Sequence, residues 1–137
     1  MAIRKAKAQW NGTLREGKGT MNFSNYSGPF TFASRFETGE GTNPEELIGA
    51  AQAGCFSMFL AALLGGADYS PRRIATSAKV YMDAGPAITT IELETEVQVA
   101  NIDEATFLEF VEKAKKNCPV SKALTGVELK VKATLKG

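Results

Sequence analysis

The stretch TNPEELIGAAQAGCFSMFLAALL, residues 42–64, decides the fold of this chain. It opens with a strong helix start, because a polar N-cap candidate is followed by Pro44 in the first turn and by two glutamates at the positive end of the helix dipole. From position 47 to 64 the helix is apolar nearly all round, so we expect it to be buried on all sides. The glycine pair at 65–66 ends it.

The segments around this helix predict strands and one further helix. The hydrophobic patterns place strands at 1–10, 19–23, 30–36, 74–82, 88–99 and 127–135. The third strand follows a turn at Ser27-Gly28-Pro29, and its phenylalanines alternate. A second helix is capped by Asp103 and ended by Cys118-Pro119. The order βββ-α-ββ-α-β predicts one α+β domain over residues 1–137, with helices on one face of a mostly antiparallel sheet.

A single small sheet covers only one side of the long helix. Its remaining apolar surface is most simply buried against a second copy of the chain, so we predict a two-fold homodimer. Gly49, Ala50, Ala53 and Gly54 form a patch of small residues on this helix. Each glycine costs about 1 kcal/mol relative to alanine inside a helix, which indicates that packing or access needs the space.

Composition excludes several classes of function. The chain has 137 residues and no histidine, which removes Ser-His-Asp and Cys-His catalysis and His-ligated metal sites. Its net charge of +1 gives no field that attracts nucleic acid or an anionic membrane. The N-terminal sequence MAIRKAKAQW lacks the apolar segment of a secretory signal. We therefore expect a cytoplasmic protein with no metal, in which the apolar helix completes a core rather than spanning a membrane.

The two cysteines admit an inert and a reactive interpretation. Cys55, in mid-helix, is either a buried small hydrophobe or a nucleophile. Burial raises a thiol pKa, so a reactive Cys55 needs a nearby Arg or Lys. Cys118 is the predicted N-cap of a short helix that begins at Pro119, and the free N–H groups there favour a thiolate. Cys118 either only terminates the second helix or forms a redox pair with Cys55.

Several motifs together resemble the osmotically inducible protein C branch of the OsmC/organic hydroperoxide resistance family. They are SRFE at 34–37, GTNPEELIGAAQAGCFSM at 41–58, CPVS at 118–121, and the opening WNG at 10–12 and GKGT at 17–20. The combination of the block from Asn-Pro-Glu to Cys with a distant Cys-Pro is specific to this family. The resemblance covers nearly the whole chain.

This resemblance implies an antioxidant peroxidase of the stress response, including osmotic stress, that reduces organic hydroperoxides and hydrogen peroxide as an intertwined homodimer. Carried over by motif position, Cys55 attacks the peroxide, Cys118 resolves it in an intrasubunit disulfide, and Arg35 and Glu45 complete the site. The implied reductant is an external dithiol or a lipoylated protein, with no bound cofactor. Gln52 replaces the family's commoner His or Tyr and is expected to affect substrate preference.

Without the resemblance, position alone makes Arg35 a solvated strand residue and Glu45 a first-turn residue that favours the helix dipole. Glu45 precedes Cys55 by ten residues, or roughly 15 Å along the helix axis. We therefore predict that Arg35 and Glu45 reach Cys55 across the dimer interface. Two alternative functions remain open at this point, namely a non-enzymatic dimer that binds an apolar small molecule, and a redox sensor.

Overall fold

The computed structural model describes all residues from Met1 to Gly137, which form six strands and four helices. The elements are β1 (Lys7–Asn11), β2 (Lys18–Phe23), β3 (Tyr26–Phe30), α1 (Phe32–Phe36), α2 (Pro44–Gly66), β4 (Arg73–Asp83), β5 (Ala87–Gln98), α3 (Glu104–Asn117), α4 (Pro119–Ala123) and β6 (Glu128–Lys136). The chain divides into two compact units, Met1–Leu47 and Ile48–Gly137. The single domain that we expect over residues 1–137 stays a prediction.

The first unit contains an antiparallel sheet in the order β1-β2-β3. Its first hairpin turns after Asn11, where Gly12 adopts a φ of +102° that favours glycine. The second turn lies at Ser24, between β2 and β3, with a φ of +48°. The first strand begins at Lys7 rather than at Met1, and residues 1–6 are exposed without regular structure.

The predicted strand at 30–36 is wrong. Strand β3 ends at Phe30 and contains the Ser27-Gly28-Pro29 segment that we expected to be a turn, and residues 32–36 form helix α1. A capping box starts α1, because the Thr31 side chain accepts from the Ser34 N–H and the Ser34 hydroxyl accepts from the Thr31 N–H. The alternating phenylalanines misled the prediction. Phe32 and Phe36 are four residues apart, which is also a helical spacing, and their rings lie 5.0 Å apart.

The second unit contains a sheet in the order β4-β5-β6, in which β4 and β5 are antiparallel and β6 runs parallel to β5. Three of the four strand pairings are therefore antiparallel, and the α+β class with mostly antiparallel sheets is confirmed. There are two sheets rather than one. The core is formed by one face of this second sheet and by residues of α2 and α3; its buried members include Phe56, Leu60, Leu93, Val97 and Phe107.

Helix α2 is buried on one face and exposed on the other. Gly49 is buried and lies so close to β4 that an added Cβ would be 3.1 Å from the Val80 side chain. Gly54 has open space around it, and Met58, four residues further on, is 77% exposed. The helix is long and apolar enough to span a membrane by length and composition alone, a criterion that core helices also meet. Burial on all sides is thus not achieved within one chain.

Candidate active site

An arginine and a glutamate form a two-pronged ion pair in the first unit. Arg35 on α1 donates from Nε to Oε1 of Glu45 and from Nη2 to Oε2, each at 2.9 Å. The Glu45 side chain is 11% exposed and that of Arg35 is 35% exposed. This arrangement is the bidentate pair in which a planar guanidinium is held in a fixed orientation. Arg35 lies on a helix, so its interpretation as a strand residue is wrong.

Local hydrogen bonds tie α1 to the start of α2 and thereby fix this pair. The Ser34 hydroxyl donates to the carbonyl of Thr42 at 2.7 Å, and the Asn43 side-chain amide donates to the carbonyl of Ser34 at 3.0 Å. Ser34 and Thr42 are both buried. The polar residues before Pro44 therefore both start the helix and position the carboxylate that holds Arg35.

The two thiols come together in the second unit. Cys55 lies in the middle of α2 and is partly exposed, and Cys118 is fully buried at the junction of α3 and α4. Both are free thiols. The two side chains influence each other, since Cys118 raises the pKa of Cys55 and Cys55 lowers the pKa of Cys118. Cys118 ends α3 and is the N-cap of α4, as the Cys-Pro sequence predicts.

Polar groups surround the Cys118 sulfur. The side-chain amide of Gln52 donates to Cys118 Sγ at 3.5 Å and to the Ser121 hydroxyl oxygen at 3.0 Å. Ser121 contributes its backbone N–H, 3.4 Å from the sulfur, and its hydroxyl, 3.2 Å from it. Gln52 is 1% exposed. A pocket beside Gln52 and Ser121 is also lined by Lys115 and Lys116 and by apolar side chains of β5 and β6.

The two thiols have opposite acidities. Burial raises the pKa of Cys55 above its usual 9.0, the backbone N–H of Val120 partly offsets this, and Cys118 raises it further through a hydrogen bond and its charge. Burial also acts to raise the pKa of Cys118. There, however, the Ser121 hydroxyl and N–H, helped by Cys55 and the Val120 N–H, outweigh burial and bring the pKa below 9.0. Cys118 is therefore the more acidic thiol within one chain, and Cys55 lacks a cation that would ionise it.

The four residues singled out by sequence thus form two pairs, Arg35 with Glu45 in the first unit and Cys55 with Cys118 in the second. Sequence reasoning did not find the contact between Gln52 and Cys118. One signal pointed to it, since Gln52 is the only amide in a long apolar helix. No group of three or more Cys, Asp or Glu side chains is arranged to hold a metal ion.

Comparisons with known proteins identify the family and the fold of this chain. The family of OsmC-like proteins matches residues 37–132. The peroxiredoxin OsmC of Escherichia coli strain K12 is 50% identical, over 88% of this chain and 89% of that protein. The crystal structure of the organic hydroperoxide resistance protein OhrB of Bacillus subtilis has a TM-score of 0.65 at 26% identity, covering 98% of this chain and 100% of that one. An OsmC-like protein from Mycoplasma pneumoniae has a TM-score of 0.78 at 16% identity, covering 99% of both chains, which shows the shared fold.

Proposed function

We propose that this chain, which belongs to the OsmC-like protein family, is a thiol-dependent peroxidase that reduces organic hydroperoxides and hydrogen peroxide. The observation that carries the proposal is the pair of free thiols Cys55 and Cys118, of which one is partly exposed and the other buried. A peroxide reaches the exposed sulfur first, and the buried sulfur is protected until the first has been oxidised. The names of the E. coli and B. subtilis relatives support the same chemistry.

In the first step, the Cys55 thiolate attacks the terminal oxygen of the hydroperoxide. The oxygen–oxygen bond breaks, Cys55 becomes a sulfenic acid, and the alkoxide takes a proton from water and leaves as an alcohol. With hydrogen peroxide the leaving group is water. Two electrons pass from the sulfur to the peroxide, so no bound cofactor is required.

In the second step, the Cys118 thiolate attacks the sulfur of the Cys55 sulfenic acid. A disulfide forms within the subunit, and the departing hydroxide takes up the equivalent of the proton that Cys118 released on ionising, so that water is the product. The low pKa of Cys118 favours this step, because its thiolate is the attacking species. An external dithiol, either a small molecule or the lipoyl group of a protein, then reduces the disulfide by exchange.

Ionisation of Cys55 needs a positive charge, because burial raises the pKa of this thiol. We assign that charge to Arg35 of the partner subunit in a homodimer. The pair with Glu45 uses Nε and Nη2 of the guanidinium, which leaves the N–H groups of Nη1 for the thiolate and for the developing oxyanion. Because α2 is a single helix, Glu45 and Cys55 of one chain are separated by roughly 15 Å along its axis.

The homodimer is proposed from the exposed apolar face of α2. Ala50, Gly54, Met58 and Ala62 follow one another at intervals of four residues and are all exposed in one chain. An apolar stripe on a central helix is typical of a covered surface. We expect Met58→Glu to convert the dimer into a monomer in sedimentation analysis, with Leu108→Glu, an exposed position on α3, as the matched control. A wild-type monomer would contradict the dimer.

The composite site is tested by mixing inactive subunits. A heterodimer of an Arg35→Ala subunit and a Cys55→Ser subunit keeps one intact site if the two residues act across the interface. We therefore expect the mixture to regain activity that neither variant has alone. A heterodimer that forms but shows no activity would place Arg35 and Cys55 of one chain in the same site.

The peroxidase itself is tested by steady-state turnover of cumene hydroperoxide and hydrogen peroxide, with dithiothreitol or dihydrolipoamide as reductant. Cys55→Ser should abolish turnover, and Cys118→Ser should retain one rapid oxidation of Cys55 without a disulfide. Peroxide-independent binding of apolar ligands, with no turnover in the wild type, would contradict the proposal.

We place the enzyme in the cytoplasm as a soluble protein that binds neither nucleic acid nor membrane.

A further inference from the structure

Gln52 is a buried amide whose side-chain nitrogen makes two hydrogen bonds beside the thiol pair. Its exposure is 1%, and its neighbours along α2 are almost all apolar. A buried amide is costly unless it is hydrogen-bonded, so its partners explain its presence in the core. Those partners are Cys118 Sγ and the Ser121 hydroxyl.

We propose that Gln52 is a positioning residue for the resolving step, acting through Ser121 to keep three hydrogen-bond donors directed at the Cys118 sulfur. This inference rests on the proposed peroxidase function and concerns its second step. Gln52 itself touches no reacting peroxide oxygen in this scheme, and its effect is exerted on the thiolate that closes the disulfide.

The direction of the hydrogen bonds carries the argument. Because the Gln52 amide donates to the Ser121 oxygen, that oxygen acts as an acceptor there, and its proton can be given to the sulfur 3.2 Å away once Cys118 is a thiolate, which can only accept. The same amide nitrogen also donates to the sulfur at 3.5 Å, and the backbone N–H of Ser121 points at it. A neutral thiol is a weak acceptor and a thiolate is a strong one, so three converging donors favour the ionised form.

Cys55 on α2 is the titratable group that acts on Cys118, and the charged groups nearby are Lys115 and Lys116 of α3, which line the pocket beside Gln52 and Ser121. Replacing it by serine isolates the effect of the donors. In a Cys55→Ser background, the ultraviolet absorbance of the thiolate reports the ionisation of Cys118 directly, without peroxide and without access of a reagent to a buried sulfur.

In that background we expect Gln52→Met, which matches the side chain in length, to raise the pKa of Cys118 by about one unit. The thiolate fraction at neutral pH then falls about tenfold. Gln52→Leu, which also removes the donor and adds no titratable group, should raise the pKa by a similar amount. Gln98→Met is the matched control, because Gln98 lies at the end of β5, outside the cluster around the sulfur, and should leave the titration unchanged.

A kinetic measurement in the two-cysteine protein separates positioning from a structural role. In a single turnover, the ratio of the rate of disulfide formation to that of sulfenic acid formation should fall about tenfold in Gln52→Met near neutral pH. The deficit should disappear as the pH rises above the new pKa of Cys118. A general loss of packing would not be rescued by alkali.

An unchanged Cys118 titration in folded Gln52→Met or Gln52→Leu would overturn the proposal, as would a disulfide deficit that persists at high pH. If Gln52→Met does not fold, as judged by circular dichroism, Gln52→Leu decides the matter. The titration of Cys118 does not depend on peroxidase activity. A wild-type protein without peroxidase activity would refute that function and leave the assignment of Gln52 to be judged by the titration alone.

Discussion

Replacing Glu45 by glutamine tests whether the ion pair with Arg35 serves the chemistry of the site. The carboxylate accepts two hydrogen bonds of 2.9 Å from the guanidinium. Glutamine keeps one accepting oxygen and turns the other into a donor, so one bond and the negative charge are lost. A hydrogen bond to a charged group contributes about 1.5–3 kcal/mol. The lower part of that range applies, because the Arg35 side chain is 35% exposed.

A loss of about 1.5–2 kcal/mol in transition-state stabilisation corresponds to about a 10- to 30-fold lower kcat/KM for cumene hydroperoxide. Glu46→Gln is the matched control, since Glu46 follows directly in the same first turn and accepts only from the Thr42 hydroxyl, a bond that glutamine can also accept. Stopped-flow oxidation of Cys55 should show the same loss. Equal activity of Glu45→Gln and Glu46→Gln would refute a role of Glu45 in the chemistry. So would a loss of activity in Glu45→Gln that is fully explained by a larger unfolded fraction at the assay temperature.

Three further predictions concern the scaffold and the thiols. Gly54→Ala should stabilise a single chain by about 1 kcal/mol, whereas Gly49→Ala should gain less, because its Cβ would meet the Val80 side chain at 3.1 Å; both are measured by urea unfolding in the Met58→Glu background, which isolates the single chain. In Cys55→Ser, the free energy of unfolding should rise with pH up to about 9.0 and be lost as the pH falls through the lowered pKa of Cys118, since the unfolded thiol binds more protons in that interval. Leu60→Ala, at a fully buried position, should cost 2–5 kcal/mol of unfolding free energy.

Each of these predictions has an outcome that contradicts it. Equal stability of Gly49→Ala and Gly54→Ala would mean that close packing on β4 is not the reason for glycine at 49. If the free energy of unfolding falls between neutral pH and 9.0 in Cys55→Ser, but not in the variant that also lacks Cys118, the pKa of Cys118 is raised by folding rather than lowered. A loss of less than about 1 kcal/mol of unfolding free energy in Leu60→Ala would contradict the packing of Leu60 in the core.

Much of the fold was predictable because its signals are local. The polar residues before Pro44 and the glycine pair after Leu64 bound α2 closely, and the alternation along β5 identifies its buried face. The helix α1 was missed because its phenylalanines satisfy both a strand and a helix spacing. Only the Thr31–Ser34 capping box, a side-chain interaction, decides between them. The parallel pairing of β6 with β5 depends on contacts far apart in sequence, which local patterns do not carry.

The sequence indicated which residues belong to the candidate site better than it indicated how those residues are arranged. Motif positions indicated all four candidate residues, and the structure adds that Arg35 and Glu45 form a two-pronged ion pair. The Ser121 hydroxyl is the largest cause that lowers the pKa of Cys118, and the backbone N–H groups at the start of α4, which the Cys-Pro sequence indicated, add to it. The contact of Gln52 with the sulfur spans 66 positions of the chain and needs the tertiary structure.

The central claim is that Cys55 is a thiolate at neutral pH because a guanidinium lies beside it in the assembled protein. The most direct test is the rate of Cys55 alkylation as a function of pH in Cys118→Ser, compared with the same protein carrying Arg35→Met. We predict that the midpoint of the alkylation rate against pH lies below the usual thiol pKa of 9.0 and rises when the guanidinium is removed. A midpoint at or above that value, unaffected by Arg35→Met, would contradict the account.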